Sequence, residues 1–249
     1  MSGREDMMRP ARLLLAALAI SLSCLVAQRA MAEPVIDMWI GGRFDDRIDI
    51  VILGDGYRAA QMTKFATDAT TFMNAFFAET PLNGYKKYFN VRRINAASVL
   101  SGAGTSPGRN TVYSSYFFCN GIDRLLCPDN NKVQVVLARS LPVAKREVVI
   151  VLVNDTRYGG SVGAIAVASM HESAKELALH ELGHSFGNLV DEYDYGTCQT
   201  SGAWGFNVTR QTARSSIPWT RWIPAATPVP TPTDRAVGLY RGAYYCTAG

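Results

Sequence analysis

Histidine is scarce in this 249-residue chain, with only His171, His180 and His184. Five cysteines occur and none forms a C-x-x-C pair, which excludes a zinc ribbon. No Met follows Met170, and no segment repeats another. The apolar run Leu13–Ala27 falls short of the roughly 20 residues that span a bilayer. Neither sign of charge dominates. Of 25 Lys and Arg and 21 Asp and Glu, residues 1–32 hold Arg4, Arg9, Arg12, Arg29, Glu5 and Asp6, so the remainder carries a net of +2. That balance argues against a nucleic-acid or membrane-surface partner.

What is present at the start is an export signal. Arg4, Arg9 and Arg12 precede the apolar run, and Ala30-Met31-Ala32 supplies the small-x-small pattern read by signal peptidase. Residues 1–32 are therefore expected to be a signal peptide cleaved after Ala32, with residues 33–249 forming one secreted or periplasmic domain. Cys24 raises lipidation, but Ser21 stands where a lipoprotein signal needs a bulky aliphatic residue. The other four cysteines, Cys119, Cys127, Cys198 and Cys246, allow three disulfide pairings in an exported chain. Cys119–Cys127 would staple one short loop, leaving Cys198 for Cys246.

Along the mature chain, Ile48–Leu53 is a β-branched run that ends in Gly54-Asp55-Gly56, a buried strand followed by a tight turn. No third glycine opens the next helix, so this is no dinucleotide site. A helix is expected from about Ala59 to Glu79, with Met62, Phe65, Ala69, Phe72, Met73, Phe76 and Phe77 on its core face and Pro81 beyond its end. Phe89–Ala96 reads as a second strand, Gly102–Asn110 as a glycine-rich loop, Lys132–Leu141 as a helix and Glu147–Val153 as a doubly covered central strand. Tyr158–Ser161 reads as a turn into an edge strand at Ala164–Ser169. The next helix is expected near His171, capped through Ser169 or Ser173, with Leu177, Ala178, Leu182 and Phe186 facing the core. The order β-α-β-α-β-β-α implies an α/β fold, a mixed twisted sheet packed with helices.

That last helix carries the chemistry. Residues 180–193 read His-Glu-Leu-Gly-His-Ser-Phe-Gly-Asn-Leu-Val-Asp-Glu-Tyr. On a helix, His180 and His184 lie one turn apart and point the same way. Zinc binds neutral imidazole and takes four ligands in a tetrahedron. Glu181 can reach a metal-bound water without binding the metal, as in the zinc hydrolase pattern H-E-x-x-H. The rival reading is a solvated helix face with two histidines. The apolar helical lead-in, Gly187 at the expected helix end, and Asp191 and Glu192 just beyond it all favour the metal. Catalytic zinc uses three protein ligands plus water, and no histidine follows His184, so a downstream third ligand is a carboxylate or Cys. Asp191 and Glu192 are both in reach, while Asp194 reads as a solvated loop charge. His171 lies nine residues before His180, about two and a half helical turns, which puts it on the opposite face as a surface or packing residue.

With these residues placed, the chain resembles the M64 family of zinc metallopeptidases, often labelled IgA peptidases. The matching segments are Ile52-Leu53-Gly54-Asp55-Gly56-Tyr57, Phe89-Asn90-Val91, Tyr158-Gly159-Gly160, His180–Tyr193, Asn207-Val208-Thr209 and Val237-Gly238-Leu239-Tyr240. The resemblance implies a metzincin-like catalytic domain with a protein or peptide substrate, hydrolysed by a zinc-activated water with Glu181 as general base. Metzincin-type sites turn on a glycine three residues past the second histidine, here Gly187, and take their third ligand three residues further on. That position is Val190, which cannot bind. Asp191 follows, where the family pattern places an acid, so Asp191 is the expected third ligand and Glu192 its alternative. Tyr193 and Tyr195 are candidates for stabilising the oxyanion, weighed against simple packing. Substrate is expected to add as a strand along Ala164–Ser169.

Two departures from the family stand out. Members often carry a β-rich domain ahead of the strand-GDGY segment, and their pattern usually continues to a methionine-bearing turn below the metal. A chain cut short at its C-terminus, or a differently built support under the zinc, is expected on that ground. The rival classes are a catalytically impaired secreted binding protein on the same scaffold, which the intact Glu181 argues against, and amide or ester hydrolysis of small molecules.

Overall fold

The computed structural model describes residues 32–161, 163–192, 206–232 and 234–240. Contacts divide the chain into Met1–Ala32 and Glu33–Gly249, and the architecture below is that of the second unit. The signal-peptide reading therefore falls outside the described residues, as do Tyr193, Asp194, Tyr195, Cys198 and Cys246. Among the described residues, no helix is long and apolar enough to cross a membrane.

A six-stranded mixed sheet organises the domain, in the order β1-β3-β2-β4-β6-β5. Its centre is β2 (Ile48–Asp55), flanked by β3 (Phe89–Ile94) and β4 (Val148–Val153), both parallel to it. Strand β6 (Ala166–Ser169) adds in parallel to β4. The outer strands β1 (Val35–Ile40) and β5 (Gly160–Ser161) run antiparallel to their neighbours. The continuous apolar runs of β2 and β4 suit strands covered on both faces. Ile50 and Ile52 pack on one side with Phe65, Phe72 and Phe76 of α1 (Met62–Phe76) and Ala178 and Leu182 of α3 (Ala174–Ser185). Val51 and Leu53 pack on the other with Val133, Val136 and Leu137 of α2 (Asn130–Ser140). The result is a mixed α/β sandwich with the sheet in the middle.

Several sequence expectations need correction. The stretch from Ala59 divides into a short 3-10 turn (Ala59–Gln61) and α1, which ends at Phe76, three residues before Glu79. Strand β1 has a half-exposed pattern and gave no periodic signal. Ala164–Ser169 is not the edge of the sheet. The residues read as a turn contribute β5, which pairs Gly160 with Ala168 and Ser161 with Val167. Outside β5, the Leu126 amide donates to the Gly160 carbonyl and the Gly160 amide to the Arg124 carbonyl. The edge is thus closed by the loop between Cys119 and Cys127, which are joined by a disulfide as expected. An incoming substrate strand cannot pair with β6 while this loop and β5 cover it.

Candidate active site

Helix α3 begins at Ala174, three residues later than expected and after a short connection from the end of β6 at Ser169. Neither Ser169 nor Ser173 caps it through its side chain. Ser169 belongs to β6, Ser173 makes no cap bond, and the Ser173 amide donates to Nδ1 of His171 at 3.1 Å instead. Ala178 and Leu182 face the sheet, as their spacing predicts, but Phe186 is half exposed and does not join the core. Phe186 is the C-cap of the helix, its amide still bonded to the Leu182 carbonyl at 2.9 Å, and the chain reverses just beyond it. Asn188 adopts a left-handed conformation, φ 49°, with its amide bonded to the His184 carbonyl at 3.1 Å and the Leu189 amide to Gly183 at 3.0 Å. This closure is one residue wider than the common Schellman turn. The reversal therefore lies at Asn188, whereas Gly187 is needed for close approach, since a Cβ there would sit 2.8 Å from the Gly183 carbonyl oxygen.

The wide turn brings Asp191 over the two histidines. Nε2 of His180 and Nε2 of His184 are 3.1 Å apart, and Oδ1 of Asp191 lies 3.1 Å from the first and 3.2 Å from the second. Nδ1 of His184 is 2.8 Å from the Leu189 carbonyl, which can only accept. The ring proton is thereby placed on Nδ1, and the Nε2 lone pair is left facing the cluster. Neutral imidazole nitrogens and a carboxylate oxygen repel one another at this separation unless a proton or cation lies between them. A tetrahedral ion with bonds of about 2.0–2.1 Å holds its ligand atoms roughly 3.3–3.4 Å apart, so the three atoms fit zinc with a small outward relaxation. Among the described residues, these three form the group of His, Cys, Asp and Glu side chains that could hold a metal.

The rival carboxylate, Glu192, is turned elsewhere. Its Oε1 accepts from Nδ2 of Asn207 at 2.8 Å. His171 also stays outside the cluster, packed edge-on against the Tyr158 ring at a centroid distance of 5.3 Å. Glu181 is buried beside the histidines. That burial pushes its carboxyl above the usual carboxylate range, against the opposing pull of His180 and His184. It opens onto a cavity of about 440 Å³ lined by His180, Arg124, Leu125, Tyr158, Glu176 and Leu177 among others. Sequence reading missed Asn207, Leu189 and the cleft wall at Arg124 and Leu125. Asn207 stood in a segment matching the family pattern, but nothing local to it reveals a partner 17 residues upstream.

The model of the IgA Peptidase M64 family matches residues 36–245, a span that holds every residue of this cluster. No curated protein matches the chain.

Proposed function

The chain belongs to the M64 peptidase family, whose match covers most of its length, and on that premise we propose that it is a secreted zinc-dependent endopeptidase with a metzincin-like catalytic domain at residues 33–249 behind a cleaved leader at 1–32. The convergence of His180, His184 and Asp191 at 3.1–3.2 Å carries the reading. These three would hold the zinc, which when bound supplies a Lewis acid that polarises a carbonyl and brings the pKa of a water toward about 7. Glu181 is the proton carrier. Its carboxylate takes the proton of the attacking water and hands it to the departing amine nitrogen. The Leu189 carbonyl keeps the His184 ring oriented through Nδ1, and the adjoining cleft has the size of a site that seats a substrate side chain. A non-catalytic binding scaffold has no use for a buried carboxylate facing that cleft. The family label names a substrate class, but substrate choice resides in the cleft walls and is not inherited with the fold.

The test is digestion of casein or gelatin by the secreted protein, with and without a zinc chelator, beside Glu181→Gln. The chelator is expected to abolish cleavage and re-added zinc to restore it. Glu181→Gln is expected to retain zinc and lose turnover by about 10²-fold or more. Cleavage that survives the chelator, or full activity in Glu181→Gln, would remove the metal or the base from the mechanism.

A further inference from the structure

We propose that Asn207 is a positioning residue that holds the loop bearing Asp191 against the two histidines. The inference rests on the metal reading above. Asp191 itself sits on a loop after the end of α3, so neither helix nor strand hydrogen bonding fixes its carboxylate. One side chain supplies what regular structure does not. Oδ1 of Asn207 accepts from the Val190 amide at 2.9 Å, and its Nδ2 donates to the Val190 carbonyl at 2.9 Å. The carboxamide therefore pairs with both backbone polar groups of Val190, much as a neighbouring strand would. The same Nδ2 donates to Oε1 of Glu192 at 2.8 Å. Both residues flanking Asp191 are thus held by Asn207. Its own backbone is anchored on either side: the Phe206 amide donates to the Asn188 carbonyl at 3.3 Å, and Val208 is buried.

This arrangement has two consequences for the site. It aims Asp191 by fixing the peptide before it, and it occupies Glu192, the carboxylate that would otherwise compete for the metal. The chemistry is specific to a carboxamide, which offers an acceptor and donors on one short arm. An aspartate at 207 would set a carboxylate against the Val190 carbonyl and against Glu192. An alanine would leave the loop to water. Partners that orient a metal ligand in this way typically contribute 10- to 100-fold in metal affinity.

The experiment measures zinc affinity of the full chain by competition with a chelator of known strength, together with Tm in metal-free and zinc-loaded form. Wild type is compared with Asn207→Ala, Asn207→Asp, Asp191→Ala and the pair Asn207→Asp with Glu192→Gln. The expected result is an affinity about 10- to 100-fold weaker in both Asn207 variants, with the metal-free Tm of Asn207→Ala close to that of wild type. In the pair, the carboxamide introduced by Glu192→Gln donates to the carboxylate at 207, which restores the 192–207 bond in the opposite direction, so part of the affinity lost in Asn207→Asp returns. Unchanged affinity in Asn207→Ala overturns the proposal. So does a metal-free Tm that falls as far as the zinc-loaded one, which marks a general structural role. If Asn207→Ala does not fold, the pair decides, and no recovery there is equally fatal. Wild type that binds no zinc, or Asp191→Ala that binds it as tightly as wild type, instead overturns the metal reading itself.

Discussion

A single buried carboxylate, Asp55, shows how much one residue organises at the end of the central strand. Its Oδ1 accepts from the amides of Gly56 and Tyr113, both at 3.0 Å, and from the Ser98 hydroxyl at 3.3 Å. Its Oδ2 accepts from the Thr111 hydroxyl and the Ser115 amide, both at 2.9 Å. Four of these five donors, Ser98, Thr111, Tyr113 and Ser115, flank the glycine-rich loop and pin its two ends at the end of β2, and Gly56, at φ 70°, lets that loop approach so closely that a Cβ would meet Gly102. Asp55→Asn turns an NH₂ group toward donors that need an acceptor. It is expected to cost about 3 kcal/mol, read by urea unfolding, because a buried donor left unmatched loses its full solvation. A loss within experimental error would show that the loop is held by other means. At this scale the sequence was readable wherever partners were near. His180, Glu181 and His184 are neighbours on one helix, and helical spacing alone brings the two imidazoles together. Asp191 required only a short turn. The role of Asp55 was not readable, since its loop partners lie as far as 60 residues downstream, and Gly-Asp-Gly alone reads as a turn.

Among the elements, long apolar segments were legible and short polar ones were not. The strands within the runs at Ile48–Leu53 and Glu147–Val153 are covered on both faces, from Val148 onward in the second, so hydrophobicity alone marks them, and the Met/Phe spacing of α1 marks a helix. Strand β5 is only Gly160–Ser161, and its existence depends on neighbours at Arg124, Leu126 and Val167 that no local pattern encodes. The disulfide loop is the element with the most to test. It closes the sheet edge through Leu126 and Gly160 and also forms a wall of the cleft through Arg124 and Leu125. Replacing both Cys119 and Cys127 by Ser releases a cross-link between residues only 8 apart, which in the chain-entropy account contributes about 2–3 kcal/mol. The double variant is expected to lose that stability. Peptide kinetics should show KM rising several-fold while kcat changes less, since the loop shapes the cleft but contains none of the metal ligands or Glu181. A fall confined to kcat would place the loop in the chemistry instead.

For the molecule as a whole, the candidate site joins parts that the core does not. The sheet and its helices are held by two extensive apolar layers, one on each face. The segment from Gly187 to Glu192 lies outside both, and its ties to the domain run through the wide turn after α3, the Asn207 bonds and the His180–His184–Asp191 cluster. A zinc ion bound there cross-links the last helix to that segment and binds the folded chain alone, because the three ligands converge only in the native state. Metal binding then appears directly as stability. At free zinc about 1,000-fold above Kd the gain is about 4 kcal/mol. For a domain of this size, each kcal/mol moves Tm by about 2–4 °C, so stripping the metal is expected to lower Tm by about 8–16 °C. The measurement is calorimetry of the same preparation before and after chelation, with zinc restored in a third scan. Asp191→Ala serves as the control, and its Tm should barely respond to zinc. Equal Tm values with and without metal in the wild type would mean that these three side chains meet without holding an ion.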